Sequence, residues 1–156
     1  MRTLIAYYSR TGGNEKLAKQ LQERLQSDID QIVDTTKREG PCGFLKSGLA
    51  AMLKRTTKIE FSKDPGDYDL VVIVTPFWVG NLPPATRTYI KEHKDKLKQF
   101  AILSLCGSGE DNPRALPDVE ATAGKKPFAS LLIKEAEVQD ESTKQKIEGF
   151  IKAIQQ

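Results

Sequence analysis

The hexapeptide Ser9-Arg10-Thr11-Gly12-Gly13-Asn14 is the stretch whose residue types and spacing point most directly to chemistry. It sets two hydroxyls, a guanidinium and a carboxamide around two glycines, and each of those side chains can donate to an acceptor oxygen. The apolar run 3–8 comes before it, and helical periodicity begins at Glu15. A strand that turns through glycines into a helix N-terminus points backbone amides at one spot, and the helix dipole adds partial positive charge. The expectation is a phosphate group on residues 9–14. The plain alternative is an ordinary turn.

Two further loops carry unusual residues. Thr75-Pro76-Phe77-Trp78-Val79-Gly80-Asn81, followed by Leu82 and two prolines, is stiff and aromatic and leaves the most apolar run of the chain. An aromatic side chain there can stack on a flat ligand with little rotamer entropy to lose, unless Trp78 is simply a core residue. Cys106-Gly107-Ser108-Gly109 follows another apolar run. Its glycines allow close backbone approach to a ligand edge. A phosphate cradle, an aromatic platform and a close backbone together suit a phosphorylated flat heterocycle.

The elements that position these loops read as alternating strands and helices. Strands are expected at 3–8, 30–34, 68–75, 100–105 and 128–138. Helices are expected from Glu15 to Gln26, over 44–55, after the loop that ends at Pro84 (with Tyr89, Ile90 and Leu97 in this helix), in broken form over 110–126, and from Ser142 to the end. In the helix over 44–55, Phe44, Leu45, Leu49, Met52 and Leu53 form the face expected to pack on the sheet, after a turn at 40–43. Lys46, Lys54 and Arg55 lie on the other side, as solvated surface or as a docking patch for an acidic partner. Asn112-Pro113 suits a helix start, Pro117 prevents one long helix, and Gly124 is a stop. Ser142 to Gln145 has a capping-box pattern. Five strands alternating with helices make a single α/β domain over residues 1–156, a doubly wound parallel sheet with helices on both faces. Ligands of such sheets sit beyond the carboxyl ends of the strands, where all three loops lie.

Composition narrows the classes. Twenty-four Lys plus Arg against 21 Asp plus Glu is too even a balance to indicate nucleic acid. Cys42, Cys106 and the lone His93 make no CxxC pair and no metal cluster, and are read as structural. With no targeting segment or apolar stretch long enough to span a bilayer, a cytoplasmic protein without membrane contact is expected. Other chemistries of this fold class fail on residues. Cys106 lacks an arginine six places on, Ser9 and Thr75 stand where a phosphate receiver needs acids, and no GxxxxGK[ST] or full GxGxxG occurs.

The residues carry a resemblance to one family. Ser9-Arg-Thr-Gly-Gly-Asn14 is similar to the flavodoxin phosphate loop, in which Asn14 takes the place of a final hydroxyl. Thr75-Pro-Phe-Trp-Val-Gly80 resembles the flavin-stacking loop of flavodoxin-like proteins, and Leu105-Cys-Gly-Ser-Gly109 stands where their third loop does. Gly43-Phe-Leu-Lys-Ser-Gly48 resembles a subgroup of small flavodoxin-family proteins. The likeness runs over nearly the whole chain, at the length of short-chain flavodoxins. It implies a 2-1-3-4-5 strand order and FMN as cofactor, phosphate on residues 9–14 and ring between the loops from 75 and 106. The final hydroxyl's replacement implies a weaker phosphate site. The third loop has no tyrosine, which leaves one ring face uncovered and room for a substrate. The resemblance further implies either a one-electron carrier serving a redox partner protein or a small reductase taking hydride from NAD(P)H, as a monomer or weak dimer. A flavin-free binding module of the same fold is the third reading.

Overall fold

The structure is a computed structural model that describes residues 1–36 and 40–156. Five parallel strands form its sheet: β1 (Thr3–Tyr7), β2 (Asp28–Gln31), β5 (Leu70–Val74), β6 (Gln99–Cys106) and β7 (Ala129–Lys134). Their order is β2-β1-β5-β6-β7, which is 2-1-3-4-5 counted along the sheet strands, as expected. The short strands β3 (Val33–Asp34) and β4 (Ile59–Glu60) pair antiparallel as a separate ribbon that the sequence pattern did not reveal. The strand expected over 30–34 therefore divides. Its first part joins the sheet and its last two residues join the ribbon.

Period-two alternation sorts the strands' apolar side chains onto two faces. Ile5, Tyr7, Val72, Val74, Leu103 and Leu105 face α1 (Gly13–Leu25) and α5 (Glu141–Ile154). Leu4, Ala6, Val71, Ile73, Phe100 and Ile102 face α3 (Pro84–His93) and α4 (Ala115–Ala123). Valine and isoleucine in β5 are buried on both sides, which is why that run is continuously apolar rather than alternating. The helix α2 (Gly40–Met52) packs beside α3.

Several local expectations change. Gly40 to Gly43 begins α2 instead of forming a separate turn. Small residues make the packed face of α2, since Gly43, Ser47, Ala50 and Ala51 are buried. The expected face is inverted: Leu45, Leu49, Met52 and Leu53 are exposed. The Phe44 side chain lies outside the described residues. β7 ends at Lys134 because residues Glu135–Glu137 turn in a 3-10 helix. α5 starts at Glu141 on Asp140 with no side-chain cap, so the capping box does not form. Gly124 does stop α4, at φ 72°, and its N–H donates to the Glu120 carbonyl at 2.8 Å. Among the described residues, no helix is long and apolar enough to cross a membrane.

Candidate functional site at the carboxyl edge of the sheet

β1 delivers the first loop and α1 receives it. Gly12 adopts φ 96°, a left-handed conformation that glycine enters without steric cost, and α1 begins at the next residue. The Ser9 hydroxyl accepts the Gly12 N–H at 3.1 Å, closing the loop on itself. Thr11 and Gly12 are exposed. A β-carbon placed on Gly12 would meet no atom within 4 Å, so the loop opens onto free space. The first amides of α1 have no acceptor one turn back, as at any helix start. The Glu15 carboxylate turns along the helix to Lys19 at 2.6 Å. Tyr7, just before the loop, has its phenol pKa raised by burial and then by Glu15.

Asn14 has a different occupation from the one its place in the motif suggests. Its side chain is buried, and its carboxamide is spent on a backbone 91 residues away. The Leu105 N–H donates to Oδ1 at 2.9 Å, and Nδ2 donates to the Leu105 carbonyl at 3.0 Å. β5 stops pairing with β6 at Val74 opposite Leu103, so Leu105, still paired with Ile133 of β7, has no strand on its other side. One carboxamide presents the donor and acceptor that a strand residue would, and it continues the ladder there. This ties the first loop to the third. Gly13 completes the junction, because a β-carbon on it would lie 2.9 Å from Leu105 Cδ2.

The second loop is a buried base with an exposed tip. Thr75, Pro76 and Phe77 are buried, and Phe77 belongs to the core. Thr75 Oγ1 lies 2.7 Å from Thr86 Oγ1. Trp78 and Asn81 exchange two backbone hydrogen bonds, at 2.8 and 3.0 Å, around Val79 at φ 50° and Gly80 at φ 77°. Two successive positive φ values are the pattern of a type I′ turn. The buried Asn81 donates its side-chain N–H to the Val79 carbonyl at 3.4 Å. Trp78 is half-buried, meeting Tyr8 edge-on at 5.6 Å. The Arg10 guanidinium lies 5.8 Å from the Trp78 ring centroid, so it bridges the first and second loops.

Beneath this tip lies a buried ion pair that sequence reasoning missed. Arg87 donates to both carboxylate oxygens of Asp118, at 3.0 and 2.6 Å, joining α3 to α4. Asp118 Oδ2 also accepts the Leu82 N–H at 2.8 Å, which fixes the downstream end of the second loop. Arg87 reaches the Thr122 hydroxyl as well, at 3.0 Å. The only signal in the sequence was a charged residue within each otherwise packed helix, which is common and unspecific.

The third loop divides by role. Cys106 is buried, whereas Gly107 and Ser108 are exposed with free space beyond Gly107. Gly109 serves packing rather than ligand approach. At φ 53°, a β-carbon on it would lie 2.8 Å from the Lys134 amide nitrogen. Gly109→Ala is therefore expected to destabilise the chain by about 2–3 kcal/mol, measured by urea unfolding. Lys134 pairs with Asp111 at 2.5 Å, and this ion pair holds the Asp111 carboxyl below its ordinary range. The second and third loops touch at Gly80, whose β-carbon position is 3.1 Å from Asn112 Oδ1.

Of the expected site residues, Ser9, Arg10, Thr11, Gly12, Gly13, Trp78, Gly80, Gly107 and Ser108 retain some exposure at one edge. Asn14, Thr75, Pro76, Phe77, Asn81, Cys106 and Gly109 are buried supports behind them. Away from this edge, a groove of about 550 Å³ opens between α1 and α5 over Leu103 and Leu105, and it meets the loop only at Gly13.

No protein-family model matches the chain, and no curated protein matches its sequence. Solved structures do. A flavoprotein from Lactobacillus acidophilus NCFM, crystallised in complex with FMN, superposes with a TM-score of 0.73 at 20% identity, covering 90% of this chain and 98% of that one. A WrbA-like flavodoxin from Agrobacterium tumefaciens gives 0.57 at 13% identity, covering 99% and 98%. A cysteine-to-serine mutant of flavodoxin from Pseudomonas aeruginosa gives 0.56 at 13% identity, covering 100% of both chains. Strand order, helix placement and these superpositions agree: the chain has the flavodoxin-like fold.

Proposed function

We propose that this chain binds FMN and transfers electrons through it. The observation that carries the reading is the convergence of an open glycine-lined helix start, a half-exposed tryptophan and an exposed Gly107-Ser108 backbone at one sheet edge. The residues fit the cofactor. Residues 11–13 would receive the phosphate through amides and the Thr11 hydroxyl, Trp78 would take a ring face, and Gly107 and Ser108 would donate to the ring edge. FMN when bound supplies the redox chemistry itself, so no side-chain acid or base is required. The buried supports hold these groups in place and leave the chemistry to the ligand. Arg10, held against Trp78, puts a cation on the ring side of the site and favours a negatively charged ligand ring. The flavoprotein from L. acidophilus, crystallised with FMN, supports the assignment.

Electron carriage for a partner protein is the preferred activity. An NAD(P)H-dependent reductase is the second reading, favoured by the lack of an aromatic in residues 106–109, which leaves space above the ring. Adding FMN to purified protein and following flavin fluorescence and melting temperature tests the binding. No binding and no rise in melting temperature sinks the proposal. Thr11→Ala is expected to weaken FMN by about tenfold or more, since it removes a hydrogen bond to a charged group. It should leave riboflavin binding unchanged. Rapid bleaching of bound flavin by NADPH alone would select the reductase.

A further inference from the structure

We propose that the exposed apolar stripe of α2, continued by Val79, is a docking surface for an acidic electron-transfer protein. The proposal rests on the redox reading above. Four large apolar side chains recur along one side of α2: Leu45 is 72% exposed, Leu49 48%, Met52 49%, and Leu53, just past the helix end, 50%. Spacings of three and four residues put them on a single stripe. The opposite side is the one that packs, through Gly43, Ser47, Ala50 and Ala51. The leucines are thus not a misplaced core face. The helix already has a buried face built of small residues, and Ser47 further closes on the Gly43 carbonyl at 2.7 Å.

The stripe runs into the candidate site. Val79 Cγ2 lies 3.4 Å from the β-carbon position of Gly48, which borders the stripe, and Val79 is itself 54% exposed. A β-branched residue at φ 50° sits in the left-handed region that glycine or asparagine would enter at less cost. Strain of this kind concentrates at functional surfaces. Here it puts an apolar side chain at the loop tip, next to Trp78. A protein seated on the stripe would cover the loop edge where the ring is proposed to lie.

Charge identifies the occupant. Residues 40–59 contain Lys46, Lys54, Arg55 and Lys58 and no acidic residue. All four cations are exposed, and only Lys54 has an ion-pair partner among the described residues, Asp118 at 3.7 Å. An apolar strip on a segment whose exposed charges are all cationic complements an apolar strip rimmed by carboxylates. A second copy does not fit, because two-fold pairing of this helix would set cation against cation. An anionic bilayer matches the charge, but Leu49, Met52 and Leu53 are half covered by their own surroundings, so only Leu45 stands clear and the stripe does not reach the insertion depth of an interfacial helix. Three helix-borne side chains, Leu53 and one valine make a small contact, in the size range of transient redox encounters.

The test titrates the ¹⁵N-labelled chain, with and without FMN, with a plant-type two-iron, two-sulfur ferredoxin as the acidic probe. Amide shifts are expected over α2 and residues 78–81 and should fade with added salt. Lys46→Glu with Arg55→Glu, and separately Leu49→Ser, should each weaken the interaction roughly tenfold while leaving the circular dichroism unchanged. These positions are exposed, so the fold is not at stake. Shifts that are absent, that fall elsewhere or that ignore both substitutions overturn the proposal. So does a concentration-dependent dimer abolished by Leu49→Ser, or sedimentation with phosphatidylserine vesicles, which would give the stripe to a second copy or a membrane. If FMN fails to bind while α2 still responds, the redox reading falls and the docking surface stands. If FMN binds and α2 is silent, the reverse holds.

Discussion

Asp118→Ala is expected to cost about 3–5 kcal/mol of unfolding free energy. The alanine leaves the Arg87 guanidinium buried without its counter-ion, and its desolvation is then uncompensated. The Leu82 N–H loses its acceptor at the same stroke. Arg87→Ala should be similarly costly, since it leaves the buried carboxylate with only the exposed Lys54 nearby. The pair replaced together by Arg87→Met and Asp118→Leu should lose much less than the sum, because no charge is then left buried alone. Urea unfolding of the four proteins checks this. Equal and additive single losses would mean that the pair is not the coupled unit its geometry indicates. A second readout separates the clamp from general stability. Freed at Leu82, the Trp78 tip should become mobile, so tryptophan emission in folded Asp118→Ala should shift to the red.

Asn14→Ala comes next, at about 2–4 kcal/mol. The substitution removes two hydrogen bonds and leaves both the N–H and the carbonyl of Leu105 unpaired at a buried position. Asn14→Asp is the sharper variant. It keeps the acceptor but cannot donate to the Leu105 carbonyl, and it sets a carboxylate against that oxygen, so it should be no better than alanine. Asn14→Thr would restore the hydroxyl found in the flavodoxin pattern, yet one hydroxyl cannot span both Leu105 groups as the carboxamide does. Threonine is therefore expected to lose stability. If Asn14→Thr is as stable as the parent and binds FMN more tightly, then the residue serves the phosphate and not β6. Hydrogen exchange at the Leu105 amide reads the bridge directly and should accelerate by the same free energy.

The sheet was legible from sequence because its signals are local. Four short apolar runs, a weaker fifth segment near residue 30, and helices with one apolar face determine a parallel α/β domain almost independently of long-range detail. The same locality made the loop at 9–14 visible, since Gly12 and Gly13 between a strand and a helix specify their geometry within six residues. What sequence reading misjudged is α2. Its leucines match a packing face by period, but period cannot say which of two apolar stripes is buried. The glycine, serine and alanine stripe won because small side chains let α2 approach its neighbours closely.

Asn14 shows the same division most clearly. Its type and position identify a polar group at the start of α1, and nothing nearby in the sequence names its partner. That partner is the backbone of Leu105, left open where β5 ends before β6 does. Where one strand stops relative to its neighbour is a property of the assembled sheet. The sequence by itself therefore determined the fold class and the place of the three loops. Only the tertiary structure decided which of those residues are exposed at the sheet edge and which are buried and hold the loops. Both roles call for the same polar groups, and Asn14 meets the backbone it supports across 91 residues of chain.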